Sequence, residues 1–315
     1  MAIELETSAS AVEDPSRHAP VTAPERVHVL AARRAASASG AWVRRVLIGI
    51  VMLWFGALIL APTVALTRAA FAGGAADFLA ALASPEAVRA MGLTLGITLA
   101  ATVVNTVFGV AFAVVLVRHR FWGRTLLDGL IDLPFAISPV VAGLMLMMLY
   151  GPRGWLGGAL DAVHLPVVYH WPGMVLATMF VTVPFVVREV VPVLKEFGVD
   201  QEEVAYTLGA GQWTTFRRVT FPSIRWGLAY GITLTVARSL GEFGALLVVS
   251  GNILNRTQTA TLYVHDAIES FHPERAYAMS LVLAFVSFVL LVGMESLRRR
   301  VELREREGGS MSGPV

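Results

Sequence analysis

The sequence predicts an all-α integral membrane protein with six transmembrane helices. Of its 315 residues, 56% are hydrophobic and 15% are charged, whereas soluble domains carry about 25% charged residues. Six long stretches are almost free of charge, and the basic residues are distributed unevenly between them. So little polar surface cannot cover a globule in water, and the remaining apolar surface is therefore expected to face lipid.

Residues 1–40 differ in composition from the rest of the chain. They mix Ala, Ser, Pro, Glu and Arg without an apolar period, and such a segment buries too little surface to become ordered. We therefore expect a disordered cytoplasmic tail. A cleaved signal peptide is not expected, because the first apolar run begins only at Val46, after Arg44 and Arg45, and continues to Leu66.

The six apolar stretches are predicted to be membrane-spanning helices. A helix needs about 20 apolar residues to cross about 30 Å of hydrocarbon. Helix is the expected form because lipid cannot satisfy unpaired backbone groups, and the alternating pattern of barrel strands is missing. The predicted spans cover residues 46–66, 91–117, 126–150, 171–194, 226–249 and 277–294. They define a membrane domain at 41–300, with a cytoplasmic C-terminal tail at 301–315.

The positions of Lys and Arg predict which ends of the spans face the cytoplasm. Segments on one side of the predicted spans hold 19 of these residues, and segments on the opposite side hold five. Cytoplasmic loops of membrane proteins carry the excess of positive charge. Both termini and the segment 195–225 lie on the richer side, so we expect them in the cytoplasm of a bacterium, with the spans in its inner membrane.

The segment 195–225 is the longest predicted cytoplasmic connection of the membrane domain, and a linker of this length requires a reason. It begins with acidic residues, continues with small and apolar residues and then reaches Gly209. Acids in a first turn and a glycine after a last turn are typical of a short helix. Val204 and Leu208, with one neighbour, would form a narrow apolar face on this helix that fits a groove.

The spacing of residues in this segment resembles the EAA loop of ABC-transporter importer permeases, which reads E-A-A, three residues, G, nine residues and I-x-L-P. The corresponding residues are Glu203, Ala205, Gly209, Val219 and Pro222. Three positions depart from the pattern by apolar exchanges: Val204 replaces Ala, Val219 replaces Ile and Phe221 replaces Leu.

In that family the loop forms the coupling helix, which sits in a cleft of the ATPase subunit and transmits its closure to the membrane helices. The alternative interpretation is an amphipathic surface helix that packs against the chain's own spans. The fixed spacing over 20 residues, between two spans and on the predicted cytoplasmic side, favours the coupling role.

Further runs resemble the sulfate and molybdate branch of these permeases, and the resemblance covers roughly residues 45–300. The runs lie at residues 133–143, 171–174, 183–189 and 237–245. The Gly-Glu-Phe-Gly-Ala run at 241–245 is shared with molybdate permeases. The Phe-Arg-Arg-Val-Thr, Ile-Arg-Trp and Val-Val-Ser-Gly runs favour the sulfate subunits.

The resemblance implies a MetI-like type I ABC importer permease fold and import of sulfate, with thiosulfate as a further candidate, by alternating access. It also implies a homologous second permease subunit, two copies of an ABC ATPase and a periplasmic or extracellular sulfate-binding protein as partners, with lipid around the spans and no nucleic acid. The chain itself would be no enzyme and hold no cofactor, because the ATPase binds ATP and Mg. Molybdate or tungstate is the main alternative substrate.

The sequence carries no motif for energy conversion of its own. A P-loop needs a lysine directly after a glycine, but the single lysine, Lys195, follows Leu194. Gly209 and Gly211 lack the third glycine of a dinucleotide fingerprint. The chain has no cysteine and its seven histidines show no His-Glu-x-x-His spacing, so neither thiol nor hydrolytic metal chemistry is expected.

Two rival classes of function are less favoured. An ion-driven secondary carrier usually shows paired repeats with acidic residues near the midplane, and no such repeats are found in this sequence. A non-transporting membrane scaffold has no use for the spacing of the EAA-like loop.

Two charged residues lie deep in the fifth predicted span. A rise of about 1.5 Å per residue from Trp226 places Arg238 about 18 Å into the membrane, with Glu242 one turn further. In one interpretation Arg238 transiently attracts a divalent oxyanion in the translocation path and Glu242 limits how tightly it is held. In the other, which we favour, the two residues form a self-neutralising pair that fixes packing, with Asp132 as a further partner.

Prolines in the third and fourth predicted spans are expected to break these helices. Kinked helices with small polar residues can line a path or form a gate, although membrane prolines are often merely tolerated. Ser138 and Pro139 are therefore candidates for the translocation path. The other prolines concerned are Pro134, Pro184 and Pro192.

Overall fold

The computed structural model describes residues 42–309, so the predicted tail at 1–40 and the last residues of the C-terminal tail lie outside the described residues. Within that range all regular elements are helices. They are α1 (Trp42–Ala70), α2 (Ala75–Leu82), α3 (Pro85–Arg118), α4 (Arg124–Ala136), α5 (Pro139–Tyr150), α6 (Gly157–Ala162), α7 (Trp171–Phe197), α8 (Asp200–Thr207), α9 (Gln212–Leu240), α10 (Gly244–Ser250), α11 (Ala260–Glu269) and α12 (Pro273–Gly309).

Four helices are long and apolar enough to cross a membrane in one piece: α1, α3, α7 and the part of α12 from Pro273 to Ser296. Two bent helix pairs meet the same criterion only when their arms are taken together: α4 with α5, which turn by 116°, and α9 with α10, which turn by 59°. With each pair counted as one span, the described chain has six. The predicted all-α fold is confirmed.

The third and fifth predicted spans are not single helices. The first break falls at residues 137–138, because Pro139 lacks an N–H and disfavours a helical conformation at Ser138, whose ψ is 136°. Pro139 then occupies the first turn of α5, where proline is tolerated. The second break falls at residues 241–243, directly after Leu240, the last residue of α9. The charged residue Arg238 lies in the last turn of α9.

The expectation that prolines break the fourth span is wrong. Pro184 and Pro192 both lie inside the continuous helix α7. Because α7 packs along both α3 and α9, its neighbours hold the helix together where the two prolines each remove a backbone hydrogen bond.

α7 is the central helix of the part of the chain from Leu66 onward. It approaches α3 so closely that a Cβ atom added to Gly109 would lie 2.7 Å from a methyl carbon of Val186. Asn105 on α3 donates hydrogen bonds to the Met179 carbonyl at 3.0 Å and to the Thr182 hydroxyl at 2.9 Å on α7. Small residues and interhelical amide bonds of this kind join helices in lipid. The resulting scaffold holds the C-terminal ends of α3 and α7 together, where Arg118 donates to the Leu194 carbonyl.

Candidate coupling helix and intramembrane ion pairs

α8 is a short surface helix whose end is determined by Gly209. Gly209 has a φ of 82°, which costs a residue with a Cβ atom about 1–2 kcal/mol. Its N–H donates to the Tyr206 carbonyl at 2.9 Å, and the N–H of Ala210 donates to the Ala205 carbonyl at 3.0 Å. These two bonds form a Schellman motif, which satisfies the last carbonyls of a helix. The predicted helix stop is therefore placed at Gly209.

The outer face of α8 is apolar and uncovered in this chain. Val204 is 57% exposed and Leu208 is 82% exposed, and Tyr206 and Trp213 are exposed beside them. A shallow, mostly apolar depression lies along this face, lined by Asp200, Gln201, Val204, Ala205, Leu208 and Val219. Two of the motif positions, Ala205 and Val219, are thus brought together. Apolar groups clustered in this way on a surface mark an interaction site.

Pro222 lies in the first part of α9 and is associated with a widened turn. The turn Phe216–Thr220 is a π-helix, and the N–H of Phe221 bonds to the Phe216 carbonyl five residues earlier. A proline lacks the N–H for the normal helical bond and its ring clashes with the carbonyl four residues before it. The wider turn accommodates Pro222 and places Val219 beside α8.

The two adjacent glutamates of α8 have different environments. Glu203 is exposed, whereas Glu202 is buried. Arg118 at the end of α3 contacts both carboxylate oxygens of Glu202, with Nε 3.0 Å from Oε2 and Nη2 donating to Oε1 at 3.1 Å. The Thr220 hydroxyl donates to the same Oε1 at 2.7 Å. Arg118 Nη1 also donates to the Leu194 carbonyl at 3.3 Å.

The sequence interpretation gave no role to Arg118, Glu202 or Thr220. A weak signal was present, because neighbouring helical residues point about 100° apart. Two adjacent glutamates on a helix therefore cannot both face the same direction, and a carboxylate that turns toward the body of the protein needs a cation there.

Arg238 and Glu242 form an ion pair at the break between α9 and α10. Arg238 Nη1 lies 2.7 Å from Glu242 Oε2, and the Glu242 side chain is fully buried while that of Arg238 is one third exposed. Glu242 Oε1 accepts a hydrogen bond from the N–H of Ala245 at 3.0 Å. The Thr261 hydroxyl donates to the Glu242 carbonyl at 2.6 Å. Glu242 therefore balances a charge and also caps the start of α10.

Asp132 does not join this pair, contrary to the expectation from the sequence. It binds Arg188 of α7, whose Nε donates to Asp132 Oδ1 at 2.7 Å. A second carboxylate oxygen, Asp128 Oδ1, lies 2.8 Å from Arg188 Nη2. Both aspartates lie on α4, one turn apart, so they face α7 and not the end of α9. The two clusters neutralise two different arginines.

Ser138 and Pro139 lie at the break between α4 and α5, and this break contacts the other one. A Cβ atom added to Gly244 would lie 3.0 Å from the Cβ of Pro139, and one added to Gly143 would lie 2.7 Å from the Ala245 carbonyl oxygen. Ser138 is exposed and its hydroxyl does not cap α5. The structure thus brings Pro139 next to the helix that Glu242 caps.

The described residues include no group of three or more His, Asp or Glu side chains arranged to hold a metal ion. The family model for the inner membrane component of binding-protein-dependent transport systems matches residues 92–307. The chain belongs to this family. It is therefore a multi-pass permease subunit of an inner membrane transport system.

Individual relatives agree with this assignment. The sulfate transport system permease protein CysW of Synechococcus elongatus is 46% identical over 82% of this chain and 91% of its own length. The permease protein CysT of the Escherichia coli sulfate transport system is 38% identical over 80% of this chain and 91% of its own. Among solved structures, a chain of a bacterial alginate ABC transporter superposes with a TM-score of 0.71 at 18% identity, covering 84% of this chain and 97% of that chain. This likeness concerns the fold.

Proposed function

We propose that the chain is one of two pore-forming subunits of an ATP-driven importer that carries sulfate inward across the inner membrane. The observation that supports this most is α8, a short helix with an exposed apolar face that carries the EAA-like spacing and ends at Gly209. The substrate is inferred from relatives named as sulfate permeases at 46% and 38% identity.

The same relatives support a particular assembly. Because this chain resembles both CysW and CysT proteins, its partner would be a second permease subunit of the same fold. Two copies of an ABC ATPase would bind ATP and Mg and receive one coupling helix each. An external sulfate-binding protein would deliver the anion. ATP-driven closure of the ATPases would then move α8 and open the pore outward.

The arginine distribution supports a cytoplasmic location for both termini and for α8. In this orientation Leu208 and Val204 insert into a cleft of the ATPase, where burial of apolar surface stabilises the contact. Glu203 lies beside this face and would contact the rim of the cleft.

The intramembrane ion pairs fit a path that releases its substrate readily. Arg238 is already balanced by Glu242 at 2.7 Å, so it offers a passing anion a weaker attraction than an unpaired arginine would. A conducting site must bind weakly enough to let the substrate leave. Ser138 and Pro139, at the neighbouring break, would line the same region of the path.

The proposal is tested by uptake of radiolabelled sulfate in a strain that lacks this chain and is complemented with variants. Wild type should restore uptake, and unlabelled thiosulfate and molybdate should be added as competitors. Saturable uptake of radiolabelled molybdate, with no saturable sulfate uptake, would assign the chain to molybdate. Uptake that persists without the ATPase would indicate an ion-driven carrier.

Two glycines that flank the same turn provide a matched pair for the coupling role. Gly209→Ser forces a side chain into the left-handed region at φ 82°, at a cost of about 1–2 kcal/mol. Gly211→Ser changes a residue at φ −74°, where serine is a preferred N-cap. Sulfate uptake should fall severalfold in the first variant and stay near wild type in the second, at equal amounts of membrane-inserted chain. Equal uptake in both variants would refute a coupling role for the end of α8.

A further inference from the structure

The connection between α8 and the membrane helices depends on one buried carboxylate. We propose that Arg118 and Glu202 are positioning residues that lock α8 onto α3 and α7, so that movement of α8 is passed to the membrane helices instead of being lost in its flanking turns. The inference rests on the proposed coupling function of α8. It assigns the transmission of force to specific side chains that do not themselves face the ATPase.

The contacts of Arg118 and Glu202 together join four helices at one point. The Arg118 guanidinium holds the Glu202 carboxylate of α8 through two nitrogens, at 3.0 and 3.1 Å, and its third nitrogen binds the Leu194 carbonyl of α7 at 3.3 Å. The Thr220 hydroxyl of α9, which follows Glu202 in the chain, donates to the same carboxylate at 2.7 Å. One of these contacts, from Nη2 to Oε1, is a charge-assisted hydrogen bond, and the ion pair at Nε keeps the second carboxylate oxygen close to the guanidinium.

The remaining contacts of α8 would not hold it in place by themselves. α8 packs mainly against the first turns of α9. Its covalent link to α7 is the pair Gly198 and Val199, and Gly198 has a φ of 70°. Because glycine has no Cβ atom, its backbone can adopt other conformations at little cost. The other end of α8 is the turn at Gly209. A push on Leu208 would therefore swivel α8 about these glycines unless the Glu202 carboxylate were held.

Burial makes the lock stiff. The side chains of Arg118 and Glu202 are 12% and 10% exposed, and charge-assisted hydrogen bonds are stronger away from water. Loss of one partner leaves the other charge buried without compensation, which disfavours any arrangement in which the pair opens.

The π-helical turn contributes the third member of the lock. Thr220 is the last residue of the turn Phe216–Thr220, and it is buried. Such turns appear mostly as single-turn insertions inside α-helices, and frequently at functional sites. Here the widened turn presents the Thr220 hydroxyl to Glu202 and so joins α9 to the same point.

The test uses the complete transporter, with both permease subunits, the ATPase and the binding protein, in proteoliposomes. ATP hydrolysis is measured with and without sulfate-loaded binding protein, together with sulfate imported per ATP. Glu202→Gln and Arg118→Gln should keep basal hydrolysis within about twofold of wild type. Stimulation by the loaded binding protein and sulfate imported per ATP should both fall by about fivefold or more, as expected for loss of an energetic coupling between sites. Arg120→Gln, an exposed arginine two residues away, is the control and should behave as wild type.

A second pair of variants covers the case in which the charge variants do not assemble. Thr220→Val keeps the shape and removes the hydroxyl, and Thr220→Ser keeps the hydroxyl; the first should lower stimulation and the second should retain it. Wild-type coupling in Glu202→Gln, Arg118→Gln and Thr220→Val would overturn the inference. So would a loss confined to the amount of assembled complex, with normal coupling in what remains. A wild-type complex that hydrolyses ATP without importing sulfate would instead refute the proposed function.

Discussion

Substitution of Gly143 tests the contact between the two broken helices. Gly143 lies in α5, and a Cβ atom at this position would lie 2.7 Å from the carbonyl oxygen and 3.0 Å from the Cα of Ala245 in α10. Both atoms belong to the backbone, so no side chain can rotate away. Gly143→Ala is therefore expected to push α5 and α10 apart and to lower the stability of the chain.

The magnitude follows from the distances. Ordinary contact at a Cβ atom begins at 3.4 Å, and the available distance is 2.7 Å. The helices must therefore separate by about 0.7 Å, and a gap of this size loses about a quarter to a half of the dispersion energy of the atoms that line it. Overpacking of this kind costs about 1–3 kcal/mol. Alanine recovers up to about 1 kcal/mol because it favours helix over glycine, which leaves a net loss of about 0–2 kcal/mol.

The matched control is Gly129→Ala in α4, where a Cβ atom would meet nothing within 4 Å. It should gain up to about 1 kcal/mol from the same helix preference. The two variants should thus differ by about 1–3 kcal/mol, or roughly 2–12 °C in Tm for a chain of this size. Thermal unfolding of the purified chain in detergent, followed by tryptophan fluorescence, measures the difference. A Tm for Gly143→Ala equal to or above that of Gly129→Ala would refute the close contact.

Two further predictions concern the ion pair and the orientation. Arg238→Leu leaves the buried Glu242 carboxylate without its partner and should lower the free energy of unfolding by about 3 kcal/mol. This value is at the low end for a buried pair because Arg238 is partly exposed. The double variant with Glu242→Gln should recover most of the lost Tm, and no recovery would contradict the pairing. The chain has no cysteine, so Leu208→Cys and Phe271→Cys, both strongly exposed, can be labelled singly with a membrane-impermeant maleimide. Phe271→Cys should react in spheroplasts and Leu208→Cys in inverted vesicles from cells that lack the ATPase, so that Leu208 stays uncovered. The reverse pattern would overturn the orientation.

The number and type of the spans could be predicted from composition and hydrophobic length, because lipid permits few alternatives to helix. The breaks in two spans were harder to locate. Pro139 gave a local signal for the first break, but α7 shows that proline alone does not decide, since packing by α3 and α9 keeps it continuous through Pro184. The second break depends on Glu242 and on the packing of Gly244 against Pro139, which are long-range contacts.

The candidate site was predictable where its signal is local. The helix stop at Gly209 follows from a single backbone conformation, and the pair Arg238 and Glu242 follows from helical spacing. The partners of Glu202 and Asp132 come from other helices. Arg118 is 84 residues distant from Glu202 and Arg188 is 56 residues distant from Asp132, so no local spacing could have identified them.

The stacking of the two breaks reduces the number of independent motions in this domain. Each bent pair could in principle open or close its own angle. Because Gly244 rests on Pro139 and Gly143 rests on Ala245, a change of one angle would collide with the backbone of the other pair. We therefore expect the angles of the two bends to change together and not independently. Two spin or fluorescence labels, one on each bent pair, could follow whether the two angles change together.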